Sequence, residues 1–129
     1  MKRALVVDDD DQFRLLLKRM IERYYDFKVF EATNGQQGIE LFEKEKPHIV
    51  FLDVNMPEVN GLQFLEKINP FNSNVPIVVL TNTDDKECVQ KILNHGIEDY
   101  ILKTKFVTML RERLEFTIKK IRRTTRIFA

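Results

Sequence analysis

Five short apolar segments, rich in branched side chains, recur along the chain. Segments of this kind are typical of β-strands that are covered on both faces, because such strands lack the alternation of apolar and polar residues. Each is followed by a segment whose apolar residues recur at spacings of three and four, which predicts an amphipathic helix. The strands are predicted at residues 4–7, 29–32, 49–52, 77–80 and 100–102.

The helical stripes differ in length, and the last predicts the longest helix. Candidate N-caps precede two of them, Asp10 or Asp11 before the first helix and Asp84 or Asp85 before the fourth. The stripes consist of Phe13, Leu16, Leu17, Met20, Ile21 and Tyr24; of Ile39, Leu41 and Phe42; of Leu62, Leu65 and Ile68; of Val89, Ile92 and Leu93; and of Val107, Leu110, Leu114, Ile118 and Ile121.

The order of elements, strand then helix five times, predicts an α/β fold with a doubly wound parallel sheet and helices on both faces. The crossovers are expected to be right-handed. In open sheets of this class, ligands bind beyond the carboxyl ends of the strands, where the strand order reverses. The residues that follow each strand are therefore the candidates for a functional site.

Composition narrows the class further. The chain has 129 residues, enough for one domain, and its 21 basic and 20 acidic residues nearly cancel, so its overall charge gives no attraction to nucleic acid or membranes. No apolar stretch approaches the roughly 20 residues of a membrane-spanning helix. Cys88 is the only cysteine, which fits a reducing compartment. We expect a single cytoplasmic domain.

Polar residues follow four of the five predicted strands. Asp8 and Asp9 come after the first strand, Asp53 ends the third, Thr81 follows the fourth and Lys103 follows the fifth. Taken singly, each is the kind of residue found at a solvated loop end. Their conjunction favours a site, because parallel strands bring their carboxyl ends to one edge and an acid after a buried run is costly unless it is paired or bound to metal.

Three converging carboxylates repel one another, and a divalent cation removes that conflict. Mg²⁺ suits such a site because it takes oxygen ligands and keeps positions free for water and phosphate. Asp53 can then attack phosphorus to form an aspartyl phosphate, if the charge of the transferring group is neutralised. Lys103 offers the second cation and Thr81 a hydroxyl donor.

Four short motifs resemble those of the receiver domains of two-component response regulators, the CheY-like family. They are LVVDD at 5–9, LDVNMPEVNG at 52–61, VLT at 79–81 and YILK at 100–103, and the resemblance covers residues 3 to 123. It implies a flavodoxin-like (βα)5 fold with strand order 2-1-3-4-5. It also implies one receiver domain at 1–123, followed by a basic tail at 124–129.

The resemblance assigns a role to each site residue. It implies that Asp53 accepts the phosphoryl group and that Asp8, Asp9, Asp53 and the main-chain carbonyl of Asn55 bind Mg²⁺. It implies that Thr81 and Lys103 bind the phosphoryl oxygens and that Thr81 and Tyr100 form the conformational switch. It also implies that Asn55 and Thr83 tune the lifetime of the phosphoryl group. From the residues alone, Tyr100 is equally well interpreted as a half-buried strand aromatic.

One position departs from the family pattern. Thr104 follows the lysine where the family usually has a proline after a cis peptide bond. Since a cis bond before a non-proline residue costs roughly 2.5–4 kcal/mol, we predict a trans bond between Lys103 and Thr104. Lys105 is the substitute if Lys103 does not reach the site.

Two rival functions stay open. A haloacid-dehalogenase-type phosphatase also uses a strand-end aspartate, but the chain carries Gln12 where that pattern expects threonine or valine, shows no acidic pair after Lys103, and lacks room for a substrate cap. A pseudo-receiver would keep the fold as a binding module without phosphorylation. The presence of all the expected acids argues against a pseudo-receiver. Thr104 in the place of the usual proline keeps this alternative open.

The expected function is therefore that of a phosphorelay receiver and not an enzyme, apart from its self-catalysed phosphorylation and dephosphorylation. The expected donor is a sensor histidine kinase or a histidine phosphotransfer protein. The output is an effector protein or an output domain outside this sequence, reached through the face of helix 4, strand 5 and helix 5, which could also form a dimer. The cations Lys119, Lys120, Arg122, Arg123 and Arg126 are interpreted as a solvated helix end and not as a nucleic-acid site.

Overall fold

The computed structural model describes residues 2–56, 60–69, 74–82, 84–103 and 107–124. Within these ranges five strands alternate with five helices, and no helix among them is long and apolar enough to cross a membrane. The strands are β1 Lys2–Val7, β2 Phe27–Ala32, β3 Ile49–Leu52, β4 Ile77–Thr81 and β5 Asp99–Leu102. The helices are α1 Asp11–Tyr24, α2 Gly35–Glu45, α3 Gly61–Ile68, α4 Lys86–Leu93 and α5 Val107–Thr124.

All five strands are parallel and lie in the order β2-β1-β3-β4-β5, which confirms the expected strand order. The order reverses at β1, which pairs with β2 on one side and β3 on the other. In the β1–β3 register, Val7 is the partner of Leu52, and the Asp53 amide donates to the Val7 carbonyl over 2.9 Å. The residues that follow, Asp8 and Asp53, are therefore neighbours at the reversal point.

Each face of the sheet is covered by its own apolar cluster, as a doubly wound sheet requires. Successive residues of β1 alternate between the clusters: Ala4 and Val6 belong to one, and Leu5 and Val7 to the other. The first cluster packs against α1 and α5, and the second packs against α2, α3 and α4. This two-sided burial explains why the strands look continuously apolar in sequence.

The ends of the elements follow from caps and edge exposure. Asp10 caps α1 by accepting from the amides of Gln12 and Phe13, both over 3.1 Å, and Asp85 caps α4. Strand β2 begins two residues before its apolar run. It lies at the edge of the sheet, where the exposed Lys28 can take part in the ladder with its side chain in water.

The division into a receiver at 1–123 and a basic tail at 124–129 stays a prediction. Helix α5 continues through Thr124, and residues 125–129, including Arg126, lie outside the described ranges.

A close contact between Gly61 and Val54 fixes the loop that follows β3. The Gly61 amide donates to the Val54 carbonyl over 3.2 Å. A Cβ atom added at Gly61 would lie 2.3 Å from the Val54 Cα, a backbone atom that cannot move aside cheaply. Glycine is needed here for close approach, and the contact holds the start of α3 against the residue that follows Asp53.

We predict that Gly61→Ala lowers the free energy of unfolding by at least about 2 kcal/mol, because the new methyl group overlaps backbone. Gly38→Ala is the matched comparison. Its Cβ would meet only side chains of Phe64 and Val7, at 3.0 Å, and helix propensity offsets that cost by ~1 kcal/mol. Urea unfolding of both variants measures the difference, and equal losses would contradict the role given to Gly61.

Candidate functional site

Three carboxylates meet at the carboxyl ends of β1 and β3. Asp8 and Asp53 are buried, with 2% and 6% of their surface exposed, whereas Asp9 is exposed. One carboxylate oxygen from each lies within 4.8 Å of the other two. The arrangement follows from the β1–β3 register, which places these residues side by side.

Lys103 is the cation of this cluster. It follows β5, and its Nζ lies 2.9 Å from Asp8 Oδ2 and 3.0 Å from Asp53 Oδ2. Its side chain is only 7% exposed. The prediction that Lys103 reaches the site is confirmed by these contacts. The Lys103–Thr104 peptide bond and Lys105 lie outside the described residues.

Burial and pairing set the electrostatics of the site. Burial raises the pKa of Asp8 to about 6, although hydrogen bonds from Lys103 and from the Asp10 amide oppose that rise. Burial alone would lower the pKa of Lys103, but its hydrogen bonds to Asp8 and Asp53 outweigh burial and raise it. Lys103 thus pairs with two of the three acids, Asp8 and Asp53, so the site has an excess of negative charge.

The donor set fits a small divalent cation. Its candidate ligands are carboxylate oxygens, which hard ions such as Mg²⁺ prefer. A cation placed among Asp8, Asp9 and Asp53 would neutralise the charge that Lys103 leaves uncompensated. The exposed position of Asp9 keeps one side of the cluster open to water.

Polar groups from the next loop and strand complete the surroundings of Asp53. The Asn55 amide nitrogen donates to Asp53 Oδ1 over 3.0 Å, and Asn55 Nδ2 donates to Thr81 Oγ1 over a longer 3.4 Å. Thr81 ends β4 and is fully buried. Asn55 and Thr81 are therefore next to the acids, as the sequence predicted.

Of the two remaining predicted residues, Tyr100 and Thr83, the structure describes only Tyr100. Tyr100 lies on β5, is half-buried, and packs against the cluster under α2, α3 and α4. Burial raises the pKa of its hydroxyl. Thr83 lies outside the described residues.

Arg14 supports the site and was not singled out from the sequence. Its Nη1 donates to the Asp8 main-chain carbonyl over 2.8 Å, Nη2 contacts Asp11 at 2.7 Å and Nε contacts Glu31 at 3.3 Å. Arg14 thereby ties the peptide group between Asp8 and Asp9 to both α1 and β2. The sequence signal was its place in the first turn of α1, directly after the acidic segment.

Phe13 also contacts the site. Lys103 Nζ lies 4.5 Å from the centroid of the Phe13 ring, within the range of a cation–π interaction. The sequence pattern assigned Phe13 only to the apolar stripe of α1. Its ring also borders the ammonium group that contacts Asp8 and Asp53.

Comparison with known proteins identifies the family. The family model described as "Response regulator receiver domain" matches residues 4–115. The chain belongs to the response regulator receiver domain family. Membership replaces the haloacid-dehalogenase interpretation.

Relatives of this receiver domain include proteins of similar and of greater length. It is 34% identical to the chemotaxis protein CheY of Thermotoga maritima over 102 residues, which cover 79% of this chain and 85% of that protein. It is 39% identical to the nitrate/nitrite response regulator protein NarL of Escherichia coli K12 over 100 residues, 77% of this chain but 46% of NarL.

A solved structure is similar over nearly its whole length. The CheY-like response regulator receiver domain protein from Methanospirillum hungatei has a TM-score of 0.82 and 25% identity, and the match covers 97% of this chain and 99% of that one. The predicted fold and the predicted family are thus both confirmed for this receiver domain.

We predict that Asp8→Asn stabilises the metal-free receiver domain at pH 7. A pKa raised from 3.8 to about 6 means that the folded state holds the proton of Asp8 more tightly than the unfolded state. The free energy of unfolding therefore falls by up to ~3 kcal/mol as the pH rises through this window. Asparagine is spared that loss, so the variant should gain about 2–3 kcal/mol at pH 7 and little at pH 4.

Urea unfolding with a chelator at both pH values measures this gain. Asp26→Asn is the control, because it removes an exposed acid beside the amino end of β2. An Asp8→Asn protein that is less stable than the wild type at pH 7 would show that the Lys103 contact outweighs burial.

Proposed function

We propose that the chain is a phosphoryl-accepting receiver of a phosphorelay, in which Asp53 takes a phosphoryl group from a phosphohistidine with Mg²⁺ bound. The observation that carries this proposal is the position of Lys103. Its ammonium group lies within 3.0 Å of both Asp8 and Asp53 in a buried site that holds more acid than one lysine can neutralise.

The proposed ligands of Mg²⁺ are the carboxylates of Asp8, Asp9 and Asp53 and the main-chain carbonyl of Asn55. The ion would supply positive charge for the oxygens of the transferring group. The proximity of the three carboxylates and the open side at Asp9 support this assignment, since phosphate and water must reach the ion.

The transfer itself uses side chains of the chain. A carboxylate oxygen of Asp53 attacks phosphorus, the new O–P bond forms as the N–P bond of the phosphohistidine breaks, and the imidazole leaves with the electron pair of that bond. Lys103 holds its ammonium group beside the Asp53 carboxylate, and the Thr81 hydroxyl donates to a phosphoryl oxygen. Dephosphorylation by water would restore the Asp53 carboxylate.

The proposed switch consists of Thr81 and Tyr100. Movement of Thr81 toward the phosphoryl group would leave space that the half-buried Tyr100 ring fills, which changes the surface of α4, β5 and α5. Asn55, whose side-chain amide lies 3.4 Å from the Thr81 hydroxyl, and Thr83 would tune the lifetime of the phosphoryl group. Dimerisation through this face is a further proposed output.

The proposed donor is a sensor histidine kinase or a histidine phosphotransfer protein. We propose that the reaction takes place in the cytoplasm. The recipient of the signal is an effector protein or an output domain. Relatives such as NarL are more than twice as long as the region that this chain matches, which supports an output domain. We propose a signalling module that is not an enzyme toward other substrates.

Incubation with acetyl phosphate and Mg²⁺ should add one phosphoryl group to the wild type and none to Asp53→Asn, because the carboxylate that attacks phosphorus is gone. Intact-mass spectrometry measures the adduct. A chelator should abolish it, and Lys103→Gln should slow its formation by at least about a hundredfold, the scale of losing one charge-stabilising group. Asp99→Asn is the control, a partly buried acid on β5 that pairs with Arg113.

Other outcomes assign other functions. A wild type that gains no adduct with Mg²⁺ would be a pseudo-receiver, which binds partners without phosphorylation. Catalytic turnover of a generic phosphomonoester would restore the phosphatase hypothesis. An adduct that survives in Asp53→Asn would place the phosphoryl acceptor elsewhere.

A further inference from the structure

A groove between α1 and α5 collects arginine side chains. Its volume is about 200 Å³, and its lining includes Arg19, Arg23 and Tyr24 from α1 and Thr108 and Arg111 from α5. We call these five residues the arginine groove. It contains none of the acids around Asp53.

Tyr24 holds two of the guanidinium groups in place. Arg111 Nη1 donates to the Tyr24 hydroxyl over 3.3 Å, and the Arg111 Cζ lies 5.4 Å from the centroid of the Tyr24 ring. The Cζ of Arg23 lies 5.6 Å from the same centroid. Tyr24 is 46% exposed, so these cations gather around a tyrosine at the surface of the groove.

Four other cations of the same two helices are neutralised by ion pairs within the domain. The ion pairs are Arg14 with Asp11 and Glu31, Lys18 with Glu22 and Glu31, Arg113 with Asp99, and Lys119 with Glu115. Among the residues that the structure describes, Arg19, Arg23 and Arg111 form no such pair. The positive charge of Arg19 and Arg23 is thus left available, and Arg111 has Glu112 and Glu115 as acidic neighbours without an ion pair.

This grouping is not a consequence of a basic composition, because the net charge of the chain is only +1. Like charges held near one another repel, and no ion pair within the described part of the chain offsets that repulsion. A cluster of this kind is complementary to a negatively charged partner. Guanidinium groups suit carboxylates in particular, because their planar donors can bind both oxygens at once.

We propose that the arginine groove binds an acidic segment of a partner protein, whose Asp and Glu carboxylates contact Arg19, Arg23 and Arg111. The proposal goes beyond phosphoryl transfer, since it does not require Asp53. Binding is expected to weaken with salt, because the groove is open to solvent.

The shape of the groove favours a protein segment over a membrane or a nucleic acid. About 200 Å³ equals the liquid volume of only about seven water molecules, a size that admits individual carboxylate side chains. A bilayer surface or a duplex backbone would instead meet the rims of both helices. Glu112, an acidic neighbour of Arg111 on α5, would then lie near its phosphates.

The test uses a short fluorescein-labelled glutamate-rich peptide and the whole 129-residue chain at low salt. Fluorescence anisotropy should show saturable binding to the wild type and to Asp53→Asn. Arg19→Gln/Arg23→Gln/Arg111→Gln should raise the Kd at least about tenfold, which corresponds to ~1.4 kcal/mol. The control is Lys44→Gln/Lys67→Gln/Lys91→Gln, which removes the same charge from exposed positions on α2, α3 and α4 and should leave the Kd within about twofold.

Urea unfolding of each variant separates binding from folding. Because the three arginines repel one another, the arginine variant should be as stable as the wild type or more stable. If loss of the Tyr24 contact unfolds it, Arg19→Gln/Arg23→Gln keeps Arg111 and should still weaken binding at least threefold, about 0.65 kcal/mol.

Several outcomes would overturn the proposal. These are a wild type that does not bind the peptide, equal weakening in the arginine and lysine variants, and arginine-dependent binding of phosphatidylserine vesicles or duplex DNA in place of the peptide. Loss of peptide binding in Asp53→Asn would also overturn it, because the groove would then depend on the acidic site. The phosphorylation experiment is unaffected by each of these results.

Discussion

The contact of Lys103 with Asp8 and Asp53 is the interaction on which the rest of the site depends. Two carboxylates out of water beside each other are costly unless positive charge is near. The parallel register of β1 and β3 forces this arrangement, because Val7 and Leu52 are partners and the acids follow them. One ammonium group cannot neutralise three acids, so the same sheet geometry that assembles the fold leaves an excess of negative charge at this edge.

The surrounding residues hold these groups in position. Arg14 binds the peptide group between Asp8 and Asp9, and the Phe13 ring borders the Lys103 ammonium group. On the other strand, contact between Gly61 and Val54 fixes the loop after Asp53. These residues take no part in the chemistry. They determine where the charged groups lie before a ligand binds.

The sequence predicted the strands and the acidic cluster because these depend on short-range pattern and on the rule that parallel strands end at one edge. The strand order was predicted only through the resemblance to receiver domains, since pairing between distant strands leaves no local pattern. Arg14 was missed because its contacts join α1 to β2 across the domain, which no local spacing reveals. Phe13 was assigned to the core alone, since an apolar stripe does not show which of its members borders a charge. The arginine groove depends on how α1 and α5 pack, a tertiary relation that two separate helical patterns do not contain.

Helix α1 has 14 residues and is ~21 Å long. Its amino end contacts the acidic site, and its carboxyl end lines the arginine groove. Phe13 and Arg14 lie in its first turn, and Arg23 and Tyr24 lie in its last turn. This length is more than twice the Debye length of about 8 Å at physiological salt. Salt therefore screens the arginine charges at the carboxyl end of the helix from the exposed Asp9 carboxylate near its amino end, and one rigid element can carry two charged surfaces of opposite sign.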